Sequence, residues 1–295
     1  MDSMKEWFDS TFYRDLAQAL AARVAGFDSE AFQREAGAGL AALELKARLW
    51  RTVELCRKYL PADYRQAVEI LREVAPRYDG EFKGMFCPEF VGCYGLKDYD
   101  YSMEALKYFT PFSTSESAVR PFLRQDLQRG LAYMQRWSMD ADEHVRRLAS
   151  EGCRPRLPWS FQLTELMADP RPVLPSLQNL RADGSLYVRK SVANNLNDIS
   201  KDHAEWMLDQ VATWDLGHVH TAWIVKRAAR TLIKAGHPRS FVLLGFEREP
   251  RVAVGDLTLS ATQIKLGEQL HFSFELRAEK ETKQRLVVDY AVHFM

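Results

Sequence analysis

Apolar residues recur at helical spacing through most of this chain. In "AALELKARLWRTVELCRKYL", Leu45, Leu49, Val53 and Cys56 fall on one helical face, and Pro61 and Pro76 sit where helices start or stop. The stretch "GEFKGMFCPEFVGCYGLKDYDYSMEALKYFTPF" is rich in aromatics and glycine and reads as a loop-interrupted segment followed by a short helix. From Val119 to Gly236 a weak repeat appears: "VRPFLRQDL", "VRRLASEG", "VRKSVANNL" and "VKRAARTLI". Each copy opens with Val and then Arg or Lys, followed by an apolar stripe. The copies are 26, 43 and 37 residues apart, which brackets the helix-pair unit of HEAT-like arrays. Asp142, Asp183-Gly184, Gly217 and Gly236-His237-Pro238 punctuate the helices. The predicted architecture is an all-α HEAT-like superhelix, an α-solenoid with a concave face.

After Glu247 the period changes to two. Leu270, Phe272, Phe274 and Leu276 alternate in "LHFSFEL", and Leu286, Val288, Tyr290, Val292 and Phe294 alternate in "LVVDYAVHF". With "VAVGDLTLS" this gives three or four strands, short of the roughly seven of an immunoglobulin-like sandwich. The reading is a helical domain over residues 1–246 and the start of an immunoglobulin-like β module over 247–295, ending inside a strand at Met295. Truncation of that module is expected.

Whole-chain charge is zero, with 40 basic and 40 acidic residues, so it identifies no partner. Residues 116–246 carry 18 basic against 14 acidic side chains, a net of +4, which is compatible with a nucleic-acid face without requiring one. Four cysteines without CxxC spacing fit a reducing compartment and supply no zinc site. No run reaches the ~18 apolar residues of a membrane helix, and "MDSMKEWFDS" has no signal-peptide profile. A soluble cytoplasmic protein without metal or cofactor is expected.

One helix is anomalous. "YVRKSVANNLNDISKDHAEW" crowds Asn194, Asn195, Asn197 and Asp198 together, although such side chains compete for backbone hydrogen bonds and weaken a helix interior. On a helical wheel Val188, Val192, Leu196 and Ile199 form a buried stripe. Tyr187, Ser191, Asn194 and Asp198 form a polar ridge beside it. Aligning "HVRRLASEG" on "YVRKSVANN" matches His144 to Tyr187 and Glu151 to Asn194, so two repeats aim an acid or amide along one edge. Ordinary readings stand beside this. Asp198 and Glu151 suit solvated acids, Glu116 suits a capping box from Ser113, and Trp159 suits a packing aromatic.

"FSTSESAVRPFL", "VRRLASEGCRPRLPW", "YVRKSVANNLNDISKDH" and "WIVKRAARTLIKAGHP", with "FKGMFCPEFVGCYGL" and "SMEALKYFT" upstream, together resemble the bacterial DNA alkylation-repair glycosylases of the AlkC/AlkD superfamily, in the AlkC branch. The resemblance covers most of residues 80–246. It implies a HEAT-like array with a C-terminal immunoglobulin-like module. It also implies hydrolysis of the N-glycosidic bond of cationic alkylated bases, such as 3-methyladenine and 3-methylcytosine, in duplex DNA without base flipping. Matched motif by motif, it implies catalytic roles for Glu116, Glu151, Asp198 and Trp159. Phosphate contacts are expected from a basic edge of Arg147, Arg154, Arg156, Lys190, Arg227 and Arg230, with the protein acting as a monomer. The rival readings are a non-catalytic HEAT-like binder of damaged or branched DNA and a protein-binding scaffold.

Overall fold

The computed structural model describes residues 4–247, 250–281, 283–288 and 290–291. They fall into two compact units, Met1–Ala228 and Ala229–Met295.

The first unit is helical. Its first half holds α1 (Ser10–Ala21), α2 (Ser29–Gly37), α3 (Leu45–Tyr59), α4 (Tyr64–Val74), α5 (Phe86–Tyr94) and α6 (Tyr99–Phe109). Its second half holds α7 (Arg120–Gln125), α8 (Leu127–Trp137), α9 (Glu143–Glu151), α10 (Thr164–Ala168), α11 (Leu174–Asn179), α12 (Leu186–Ile199), α13 (Ala204–Ala212) and α14 (Val219–Ala228). Side chains of Asp9, Asp28, Asp63, Asp126, Asp142 and Ser185 accept from the first backbone N–H groups of their helices, satisfying donors that have no intrahelical partner. Packing follows a HEAT-like row. α5 lies on α3 and α7, α8 on α7 and α9, and α12 between α9 and α14. In α3 the predicted stripe is core, with Leu49, Val53 and Cys56 buried.

The Val-Arg repeat has a physical meaning. Val119, Val145, Val188 and Val225 are all buried. The following arginine braces a loop: Arg146 donates to the carbonyls of Asp140 and Ala141, and Arg189 to those of Asp183 and Gly184. Each bond ties a helix to the turn that delivers it.

One segment differs from the sequence expectation. The glycine-rich stretch before α6 contains a helix, α5, instead of an interrupted loop. Pro88 lies in its first turn, where a missing N–H costs nothing. Gly92 is there for closeness: a Cβ would stand 2.9 Å from the Ala118 carbonyl oxygen and 3.0 Å from its Cα.

The second unit begins with α15 (Arg230–Lys234) and α16 (Pro238–Leu243) and continues with four short strands. β1 (Val252–Val254) pairs antiparallel with β4 (Leu276–Ala278), Val254 opposite Leu276, and β2 (Thr258–Leu259) pairs antiparallel with β3 (Phe272–Ser273). Helix gives way to strand between Leu243 and Val252, around the 246/247 boundary drawn from the sequence, whereas compactness groups α15 and α16 with the strands. Leu270, Phe272, Phe274 and Leu276 share one face, lining an apolar cavity of about 730 Å³. The strand predicted over 286–294 is not present in 286–288 or 290–291, and its remaining positions lie outside the described residues.

Among the described residues no helix is long and apolar enough to cross a membrane, and no group of His, Cys, Asp and Glu side chains converges to hold a metal ion. Cys56, Cys87 and Cys153 are free and buried; burial pushes the Cys56 and Cys153 thiols up to about 12.

Candidate active site

Part of the polar cost of α12 is met by α9, while Asn195 Oδ1 stays buried without a hydrogen bond among the described residues. The Ser191 hydroxyl lies 2.7 Å from that of Ser150, and Asn195 Nδ2 donates to the Ser150 carbonyl at 2.8 Å. That carbonyl belongs to the last turn of α9, where no intrahelical donor remains. One end of the odd helix therefore caps its neighbour, and the ridge runs on to Asp198.

Asp198 is buried and accepts from Arg154 Nε at 2.9 Å. Arg154 Nη1 donates to Glu151 Oε1 at 2.7 Å. Glu151 lies 3.5 Å from Arg147 Nη2, and Arg147 Nη1 is paired in turn with Glu116. The result is an unbroken chain of alternating charge: Glu116, Arg147, Glu151, Arg154, Asp198. The three acids come from the segment before α7, the end of α9 and the end of α12, and successive members are separated by the width of one guanidinium. Burial alone would lower the pKa of Arg147, but Glu116 and Glu151 more than offset it and leave it raised; Glu151 and Asp198 do the same for Arg154. Lys201, partly exposed, adds an outer contact to Asp198 at 3.1 Å.

The ordinary readings of these acids do not describe them. Asp198 and Glu151 are buried. Ser113 caps no helix, and Glu116 instead accepts from Thr114 Oγ1 at 2.7 Å and from Arg147. Trp159 is 66 % exposed. Its ring meets Phe82 edge-on at 6.4 Å, and Lys46 stands 5.7 Å from its centroid. Trp159 thus belongs to the same loop as Arg154 without sharing the ion-pair chain.

The basic candidates separate by placement. Arg147 and Arg154, expected on an open edge, are enclosed among the carboxylates, because a buried acid cluster needs cations within it. Arg156 forms a two-pronged pair with Asp202 at 2.8 Å and 3.2 Å. Lys190 is exposed and has no ion pair among the described residues. Arg227 lies over Trp223 at 5.6 Å, and Arg230 opens α15 in the second unit.

Three residues absent from the sequence reading also belong to this region. Arg120 is fully buried and donates to the carbonyls of Gly152 (2.9 Å), Arg154 (2.8 Å) and Phe161 (3.1 Å), and burial lowers its pKa to about 10. Its signal was the repeat itself, since it occupies the Val-Arg position. Lys46 donates to the Trp159 carbonyl at 2.7 Å. Glu89, on α5, is 6 % exposed and has no hydrogen bond or ion pair among the described residues. Burial raises its pKa to about 7, with Lys46 opposing and Glu116 adding to the rise. Tyr187, from the ridge, lies under Arg147 at 5.0 Å and against His144 at 5.5 Å.

The chain as a whole is similar to known proteins. The alkylpurine DNA glycosylase AlkC of Pseudomonas fluorescens, solved bound to DNA containing an abasic-site analog, is 46 % identical with a TM-score of 0.89, over 95 % of this chain and 78 % of that one. The chain belongs to the AlkC family. The uncharacterized protein YhaZ of Bacillus subtilis (strain 168) is 46 % identical over 253 residues, which are 86 % of this chain and 70 % of that protein. A family model described as the YhaZ C-terminal Ig-like domain matches residues 253–295, so the short strands of the second unit belong to an immunoglobulin-like domain. The fold of this chain thus combines a HEAT-like helical array with this C-terminal β segment.

Proposed function

We propose that this AlkC-family chain is a DNA glycosylase that hydrolyses the N-glycosidic bond of cationic alkylated bases in duplex DNA, 3-methyladenine and 3-methylcytosine among them. It would act as a cytoplasmic monomer without cofactor. The observation that carries the reading is the chain of three carboxylates held by two guanidiniums. Arg147, Arg154 and Lys201 hold the three carboxylates in place, so a cationic nucleotide would meet acids whose orientation is already fixed.

The chemistry suits that arrangement. A base alkylated on a ring nitrogen so that it carries positive charge leaves with the bonding electron pair and becomes neutral. Positive charge then develops on the sugar in an oxocarbenium-like transition state. Fixed carboxylates stabilise it, one of them orienting the attacking water and taking its proton. At ~4 Å and an effective dielectric near 20, one such interaction is worth up to about 4 kcal/mol before solvent losses. Arg147 and Arg154 keep Glu151 and Asp198 oriented, and Trp159 offers an exposed π face to the cation. Hydrolysis is assigned to a lesion still stacked in the duplex. A neutral base gains little from these acids, so selection falls on the charged lesion. Arg156, Lys190, Arg227 and Arg230 are assigned to phosphates.

The test is release of free alkylated base from duplex DNA treated with a methylating agent, compared between the wild-type protein and Glu151→Gln. Release by the wild type and its loss in the variant, with duplex binding kept, is the expected result. Binding without release by the wild type would leave a non-catalytic binder of damaged DNA.

A further inference from the structure

The loop from Gly152 to Phe161 joins α9 to α10 and carries Arg154, Arg156 and Trp159. Trp159 has φ +66° and is the one non-glycine residue with positive φ among the described residues. For a bulky L-residue this region is disfavoured because Cβ crowds the following carbonyl, and it persists only where surrounding contacts impose it. Packing of the indole does not impose it, since that ring is mostly in solvent.

Two cations hold the main chain instead. From inside, Arg120 fixes the loop at Gly152, Arg154 and Phe161. From outside, Lys46 Nζ reaches 113 positions along the chain to the Trp159 carbonyl. Lys46 lies in the first turn of α3, the end of a helix where the dipole disfavours a cation. It has no ion pair among the described residues, and the Trp159 carbonyl is its hydrogen-bond partner. Helix stability therefore does not account for a lysine there, whereas the loop does.

We propose that Lys46 is a positioning residue, which pins the Trp159 carbonyl so that the left-handed backbone holds the indole outward on the loop that also supplies Arg154. Its effect on rate rests on the glycosylase reading; its effect on the indole does not. Without the ammonium, Trp159 relaxes to negative φ, its Cα–Cβ bond swings, and the π face is no longer fixed when the sugar becomes cationic. The loss falls on the chemical step and not on duplex affinity, because Arg156, the one assigned phosphate contact on this loop, is held separately by Asp202, and the others lie on other elements.

The chain contains seven tryptophans, so the protein labelled with 5-fluorotryptophan gives a ¹⁹F spectrum in which Trp159→Phe identifies one signal. Lys46→Met is expected to shift that signal and leave the others in place. It should also slow single-turnover release from a defined single-lesion duplex at least about tenfold, with Kd for that duplex within about twofold. Lys46→Arg keeps a cationic donor and is expected to restore the signal and most of the rate. An unmoved Trp159 signal in Lys46→Met overturns the proposal, as does a moved signal with unchanged release, or failure of the arginine rescue. If the wild-type protein releases no base, the glycosylase reading falls, and the spectrum alone decides whether Lys46 positions Trp159.

Discussion

Near this site one carboxylate is buried beside a guanidinium group and another is buried without a partner among the described residues. Glu89 is the second kind. Its ordinary pKa is 4.5, and burial raises it to about 7. Between those values the folded chain keeps a proton that the unfolded chain has lost. The stability contributed by neutral Glu89 is therefore complete below about pH 4.5 and disappears as pH rises through about 7, a change of about 3 kcal/mol. Glu89→Gln removes this dependence. Its denaturation midpoint should match the wild type near about pH 4 and exceed it near about pH 8; parallel curves would mean that Glu89 is ionised in the fold. Asp198 is the first kind, and Asp198→Asn keeps its shape and one of its two acceptor oxygens while removing its charge. Single-turnover base release should fall on the order of a hundredfold or more, with duplex binding measured alongside. Unchanged release would take Asp198 out of the mechanism.

At the scale of elements, the site depends on how closely α5, α7, α9 and α12 approach. Gly92 lets α5 touch the segment that carries Glu116, and Gly92→Ala would force a methyl against the Ala118 backbone. Backbone yields less readily than a side chain, so a cost of about 1–3 kcal/mol is expected in chemical denaturation, with a larger proportional loss in base release because Glu116 is displaced. A stability change without loss of release would detach Glu116 from catalysis. These approaches also decide what the sequence could reveal. Helix α3 and the Val-Arg repeat were legible, because one depends on apolar periodicity and the other on a recurring pair whose valine is core. The polar ridge of α12 was legible as an anomaly, but its purpose was not. Ser191 and Asn195 serve the last turn of α9, a contact between residues over 40 positions apart. Helix α5 was hidden because its proline and glycine read as loop signals, and only the neighbouring Ala118 explains the glycine. Arg147 and Arg154 read as surface cations because, beyond the neighbouring Glu151, the partners that enclose them lie on other segments, Glu116 and Asp198.

For the molecule as a whole, the 18 basic residues of the central segment overstate the number of cations free to meet DNA. Arg147 and Arg154 are committed to carboxylates, and Arg156 is matched by Asp202. Affinity should therefore respond unequally to substitution. Lys190, exposed and without an ion pair among the described residues, can release nearly a full counterion on meeting a phosphate, so Lys190→Ala should lower the slope of log K against log salt by about 0.9. Arg156→Ala should change the slope less, because that guanidinium must first be separated from Asp202. The same argument gives the opposite sign for the acid: Asp202→Ala frees Arg156 and should tighten binding to undamaged duplex, most at low salt where screening is weakest. Titration of a fluorescent duplex at several salt concentrations measures all three. Weaker binding by Asp202→Ala would show that the pair serves the loop's shape and not the DNA face, and Arg156 would then leave the set of phosphate contacts.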